Sequence, residues 1–136
     1  DALPIYAGTG SASGATVTPE SALTLSAVLA CVRLRAETIA SLPLHLRDDT
    51  KSIAKDHPLY DILHFSPNYN MSAFEFWVSQ VASMDLWGNG YSQIMRNSSG
   101  RVIALEPLDP SRMIVRRDDF GALSYCYENG EKTEKF

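Results

Sequence analysis

The side chains that could do chemistry are few, and their spacing suits no known site. Three histidines, His45, His57 and His64, and two cysteines, Cys31 and Cys126, are the residues a transition metal would need. They form no recognised ligand pattern. His57 and His64 are seven apart, close enough in phase to share a helix face, but His57 stands before Pro58, where a helix would begin. No metal and no cofactor is implied. Asp85 is the one carboxylate expected on the apolar face of a helix. A buried acid needs hydrogen bonds or a cation. The reading it supports is structural, tying down loop amides or pairing with an arginine. No second acid or histidine is recognisable nearby to make a general acid–base pair. Gly8, Gly10 and Gly14 lack the spacing, the preceding strand and the Gly-Lys-Ser/Thr of a phosphate loop, and there is no Gly-x-Ser-x-Gly elbow. Asn70-Met71-Ser72 and Asn97-Ser98-Ser99 match the glycosylation acceptor pattern by chance, since Ser72 is better used as a helix cap.

Composition points the same way. A chain of 136 residues, 45% hydrophobic and 21% charged, can close one globular core. Net charge is −4 and the basic residues are scattered. Their densest group, Arg112, Arg116 and Arg117, is followed at once by Asp118 and Asp119. That excludes strong autonomous binding to nucleic acid, which shows as a basic stripe. No run of about 18 apolar residues and no signal-peptide pattern is present. Cys31 falls in a helical pattern and Cys126 in a strand pattern, and both are expected as reduced packing residues. The chain begins at Asp1 and ends just past a turn signal, as a piece of a longer protein would.

The elements that position these residues are well marked. Ser72 with Glu75 is a capping box, and the helix it opens is expected to run to Trp87, ended by Gly88-Asn89-Gly90. Tyr91 to Arg96 reads as a strand, Asn97 to Gly100 as a turn, and Arg101 to Glu106 as the returning strand, closed by Pro107 and Pro110. Phe74, Trp77, Val78 and Val81 form one face of the helix. Phe76 and Trp87 lie on the other, beside Gln80 and Ser83, where two large aromatics need cover.

Upstream, residues 1–17 read as a flexible arm rich in Gly, Ala, Ser and Thr, and residues 18–136 as one domain. Thr18-Pro19-Glu20 opens a helix expected to reach Ser41, with an irregular first turn allowed. Leu25, Val28, Leu29, Val32, Ala36 and Ile39 form one apolar face. Leu23, Ala27, Ala30 and Leu34 form a second, nearly opposite seam, to be covered by a neighbouring subunit, later sequence or the arm. Leu42 to Arg47 alternates as a short strand with His45 facing solvent, and Asp48 to Lys55 is a polar tip. A short helix begins near Pro58, with Leu59, Ile62 and Leu63 inward. Met113 to Arg117 and Leu123 to Tyr127 make another strand pair, and Glu128-Asn129-Gly130 a further turn. The fold class is α+β: two long helices and one short helix packed on antiparallel hairpin strands.

Several phrases go beyond pattern. They are Thr18-Pro19-Glu20-Ser21-Ala22-Leu23, Ala27 to Arg33, Ala36 to Leu44, Asp56-His57-Pro58-Leu59-Tyr60, Ser66-Pro67-Asn68, Leu86-Trp87-Gly88-Asn89-Gly90-Tyr91 and Leu105 to Arg112. In this order and spacing, from Val17 to about Tyr127, the chain resembles the N-terminal part of the tailed-phage portal protein family, Hong Kong ninety-seven type. Gly90 stands where alanine would be more typical, which adds backbone freedom. The resemblance implies a partial wing domain of a portal subunit. It implies a homo-oligomeric ring, typically dodecameric, at the capsid vertex. Such a ring is a structural conduit for double-stranded DNA, which it contacts weakly and non-specifically. It docks the terminase motor, neck and head-tail connector proteins, and capsid or scaffold proteins, in the virion and, during assembly, in the host cytoplasm. It implies no membrane and no catalysis.

Leu23, Ala27, Leu34, Phe76 and Trp87 are therefore the candidate subunit-interface residues. Two other readings predict different structures. A non-catalytic adaptor domain needs an open apolar groove. An enzyme fragment using Asp85 or His57 needs a pocket that brings one of them to a second titratable group.

Overall fold

The computed structural model describes residue 14 and residues 16–117, 121–129 and 132–135. Most of the expected arm, residues 1–13 and 15, lies outside the described residues, as do turn residues 118–120 and Gly130. The elements in order are α1 (Pro19–Leu23), α2 (Ser26–Ala40), α3 (Leu59–His64), α4 (Ala73–Trp87), β1 (Tyr91–Arg96), β2 (Val102–Leu108), a 3-10 turn (Pro110–Arg112), β3 (Met113–Arg117), β4 (Leu123–Asn129) and β5 (Lys132–Lys135).

Helix α4 forms where its caps dictate. The Ser72 hydroxyl accepts from the Glu75 amide at 3.3 Å, and the Glu75 carboxylate accepts from the Ser72 amide at 2.8 Å. At the other end Gly88 takes φ 76°, left-handed, and its amide donates to Met84. The helix buries Ala73, Phe76, Gln80 and Val81. It is the common partner of α2, α3, β2 and the 3-10 turn.

The first helix is broken where a continuous one was expected. Thr18 and Ser21 form a reciprocal capping box, and the Thr24 hydroxyl donates to the Ser21 carbonyl at 2.7 Å. Side-chain hydroxyls that bond locally compete with the helix ladder. Leu25 is then extended (φ −82°, ψ 117°) and α2 restarts from it. Three further expectations are corrected. Leu42 to Arg47 is not a strand, and only an isolated bridge, Arg47 to Ile53, closes the polar tip. The Leu44 carbonyl, which a ladder would use, accepts from the His64 ring at 2.8 Å instead. Strand β2 does not stop before Pro107 but continues to Leu108, with Pro107 opposite Ser92. In α3 the buried residue is Tyr60, while Leu59, Ile62 and Leu63 are only half-buried.

The strands make two antiparallel sheets, β1-β2 and β3-β4-β5. Tyr91 pairs with Leu108 and Ile94 with Leu105, with an irregularity after Met95. Met113 pairs with Tyr127, and Cys126 with Lys135. The outer edge of β2 is held by the loop before α4. The Leu105 amide donates to the Pro67 carbonyl at 2.8 Å, and the Asn68 side-chain amide donates to the Leu105 carbonyl at 2.9 Å. The Asn68 oxygen accepts from the Asn70 amide, and Asn68 is 4% exposed. Gln80 ties α4 to β1 by donating to the Tyr91 carbonyl at 3.3 Å. Gly90 has a packing reason here. A Cβ there would stand 2.7 Å from the Gln80 side-chain oxygen and 3.1 Å from its carbonyl.

Replacing Asn68 by leucine leaves the Leu105 carbonyl and Asn70 amide without their partner. A loss of about 2–3 kcal/mol is expected in urea unfolding. Glu75 is held below its ordinary value by the Ser72 backbone amide and then by its hydroxyl. The stability it contributes is complete above 4.5 and is lost as pH falls through the lowered value. The gap in urea midpoint between the natural chain and Glu75→Ala is therefore expected at neutral pH and is expected to close once the pH has fallen below the lowered value.

Candidate functional site

The residues with chemical potential are placed in structural roles. Asp85 sits at the end of α4 with its side chain 12% exposed, and Arg35 of α2 reaches its Oδ1 at 3.0 Å. Its Oδ2 is buried without a hydrogen-bond partner. His64 stacks between His45 and Tyr60, with ring centroids 5.0 Å apart on each side, and meets Phe65 edge-on at 4.6 Å. His45, expected in solvent, is half-buried in this stack. The stack forms because α3 lies beside the irregular segment after α2. His57 accepts the Leu59 amide at its Nδ1 and serves as a local helix-start contact. Among the described residues no group of His, Cys, Asp and Glu could hold a metal ion.

A cleft of about 490 Å³ opens between α1, α2 and the end of α4, lined by Val17, Thr18, Val28, Val32, Asp85 and Trp87 among others. Its walls are mainly apolar. Its hydroxyl, on Thr18, is engaged in the α1 cap. The other titratable group that lines it is Glu20, at the exposed start of α1. Among the described residues, a nucleophile with a base beside it is not part of this arrangement.

The candidate interface residues divide. Phe76 is corrected. It is 2% exposed and closed in by the chain itself, because α4 is covered by α2 on one side and by α3, β2 and the 3-10 turn on others. Phe74, expected inward, is exposed instead. Trp87 is half-buried and lines the cleft. On α2 only Ala36 is fully buried, with Val28 and Val32 half-buried on the same stripe. The opposite seam looks outward: Leu23 is half-buried, Ala27 and Ala30 are exposed, and Leu34 is 69% exposed. Cys31 lies on the same outward side and is exposed, so the expected packing role does not hold within this chain.

Residue patterning missed a second exposed surface. Phe65, Tyr69 and Phe74 all stand in solvent around the loop between α3 and α4. The loop itself is rigidly tied: Ala73 donates to the Phe65 carbonyl, and Asn68 bridges Met71. The signal in the sequence was Asn68, whose side chain can close a turn on the residue two further on.

Comparison with known proteins gives a consistent result. The family model described as phage portal protein matches residues 26–136. The "Portal protein" of Enterobacteria phage HK97 is 35% identical over 105 residues, 74% of this chain and 25% of that protein. "Protein BeeE" of Escherichia coli (strain K12) is 32% identical over 127 residues, 90% of this chain and 76% of that protein. The "Probable portal protein" of Streptomyces phage phiC31 is 36% identical over 111 residues, 79% of this chain and 24% of that protein. The chain thus spans about a quarter of the length of the two phage proteins. Among solved structures, one described as "Neck of empty GTA particle computed with C6 symmetry" superimposes with a TM-score of 0.77 at 26% identity, covering 92% of this chain and 36% of that one.

The Arg35–Asp85 pair is asymmetric in exposure, 66% against 12%. Removing the cation strands a largely buried carboxylate, so Arg35→Ala is expected to destabilise by about 1–2 kcal/mol. Asp85→Asn, which leaves only a solvated guanidinium, is expected to cost less. Urea midpoints of the two variants, measured side by side, check the order.

Proposed function

The chain belongs to the phage portal protein family, and from that membership we propose that it forms part of the wing of a portal subunit. In this reading the full-length protein assembles into a ring, typically dodecameric, at the capsid vertex. The ring is the conduit for double-stranded DNA during packaging and ejection. It docks the terminase motor on one side of the process and the neck and head-tail connector proteins on the other, with capsid or scaffold proteins around it. Assembly takes place in the host cytoplasm and the product resides in the virion. Residues 18–136 form one α+β unit of that subunit, which acts by contact and not by catalysis.

The observation that carries the reading is the match over residues 26–136, joined to the 0.77 superposition on a particle neck. Physical features support it. A ring subunit needs apolar surface left over by its own fold, and the outward seam of α2, which ends at the exposed Leu34, is such a surface. We assign its cover to another subunit or to the rest of the full-length chain. A net charge of −4 suits a wall past which DNA must slide, since each phosphate contact strengthens non-specific binding.

Negative-stain electron microscopy of the full-length gene product is expected to show rings with a central channel, and a uniformly monomeric particle under several salt conditions removes the reading. Leu34→Glu alters an exposed position, so the stability of this chain should change by less than about 0.5 kcal/mol. Ring yield of the full-length variant should nonetheless fall. Cys31 supplies a second probe: its thiol is expected to alkylate readily in the isolated chain and to be protected in assembled rings.

A further inference from the structure

Charge is segregated along this chain. From Asp56 to Met95 there is no lysine or arginine, and the acids are Asp56, Asp61, Glu75 and Asp85. Asp85 is taken by Arg35. The other three are exposed. From Arg96 to Arg117 the balance reverses: Arg96, Arg101, Arg112, Arg116 and Arg117 stand against Glu106 and Asp109. All five arginines are exposed, and among the described residues none is in an ion pair.

Each charged region carries exposed apolar groups. The acidic one holds Phe65, Tyr69 and Phe74, with Tyr69 wholly exposed at 101%. The arginine-bearing hairpin β1-β2 holds Ile94 and Ile103, each 53% exposed. Ile94 pairs with Leu105, and Ile103 is the extra residue at the register irregularity between the Met95–Ala104 and Arg96–Val102 pairs, so both isoleucines stand near the turn end of the hairpin. Both surfaces are preformed. The hairpin turn is fixed by Asn97, whose side-chain oxygen accepts from the amides of Ser99 and Arg101. The aromatic loop is fixed by Asn68. Preorganised surfaces lose little freedom on docking.

We propose that these two surfaces meet between successive copies of this chain: the turn end of the β1-β2 hairpin of one copy, with Ile94, Ile103, Arg96 and Arg101, docks on the Phe65–Tyr69–Phe74 surface and Asp61 of the next. This rests on the ring reading above. A cyclic ring larger than a dimer is closed by a head-to-tail contact between two unlike surfaces. Either surface meeting its own copy would set like charges together, which disfavours that pairing. Opposed to each other, the arginines gain the acids, and a guanidinium can lie on the Tyr69 ring.

The test uses the full-length protein with Cys31→Ala as parent. Subunits carrying Tyr69→Cys and subunits carrying Ile103→Cys are co-assembled with different tags and treated with a short bismaleimide. Covalent dimers containing one of each are expected, with none from either variant alone or from the parent. Rings that yield no such dimers, or dimers from a single variant, overturn the contact while leaving the ring reading intact. A natural full-length protein without rings removes both. As a second measure, Arg101→Glu is expected to lower subunit affinity about tenfold, as reversing one close charge across an interface does. Adding Asp61→Arg to the same chain is expected to restore it. An unaffected single variant, or a double variant no better than the single, overturns the proposal.

Discussion

The ring of Phe76 and the amide of Gln80 lie one turn apart on α4, both closed from water, and the rest of the structure is arranged around keeping them so. Phe76 supplies apolar area, worth roughly 1.5–3 kcal/mol when fully buried. Gln80 is a polar group that can be buried only if its hydrogen bonds are met, and it bonds the Tyr91 carbonyl where β1 begins. That bond fixes how the hairpin leaves the helix. It also explains Gly90, since any Cβ at that position would meet Gln80. The capping box at Ser72 and the left-handed Gly88 set the length of the helix, and so set which residues reach the contact.

From this centre the layers follow. Helix α2 lies along α4 through Val28, Val32 and Ala36, with Arg35 crossing to Asp85. Helix α3 is anchored by the Trp77 indole, which donates to the Leu63 carbonyl at 3.2 Å. Strand β2 is stitched to the Pro67-Asn68 loop by two hydrogen bonds in opposite directions. The second sheet touches the first through the rings of Tyr91 and Tyr125, 6.3 Å apart and steeply inclined. Burial there raises the Tyr91 hydroxyl above its ordinary value, with the Tyr125 charge a lesser contribution. These are connections of a thin structure. One layer of helices meets one hairpin, and much apolar surface stays in water, from Leu25 at the start of α2 and Leu29 and Leu34 on it to Ile94 and Ile103 on the hairpin.

His45 and His64 are stacking partners, His57 makes a helix-start contact, the buried carboxylate is paired, and the cleft beside Trp87 is mostly apolar. The part of the molecule that differs from an ordinary small domain is its outside, where Leu34, Phe65, Tyr69 and Ile103 stand in solvent.

Local chemistry fixed much of this fold in advance. The boundaries of α4, the strand Tyr91–Arg96 and the pairing of Met113–Arg117 with the segment after Gly121 all come from caps, turn formers and alternation, which act over a few residues and need no partner. The order of motifs carried the family. What the sequence left open was which of two apolar faces a helix would bury, because a helical wheel ranks faces by composition and both faces qualified. The surrounding layers settled Phe76 inward and Phe74 outward on α4, and left Leu34 exposed on α2. Long-range hydrogen bonds decided the rest. His64 took the Leu44 carbonyl and so prevented a strand at Leu42 to Arg47, and Asn68 captured Leu105, 37 residues away. Such partners are adjacent only once the chain has folded, so their consequences belong to the tertiary structure alone.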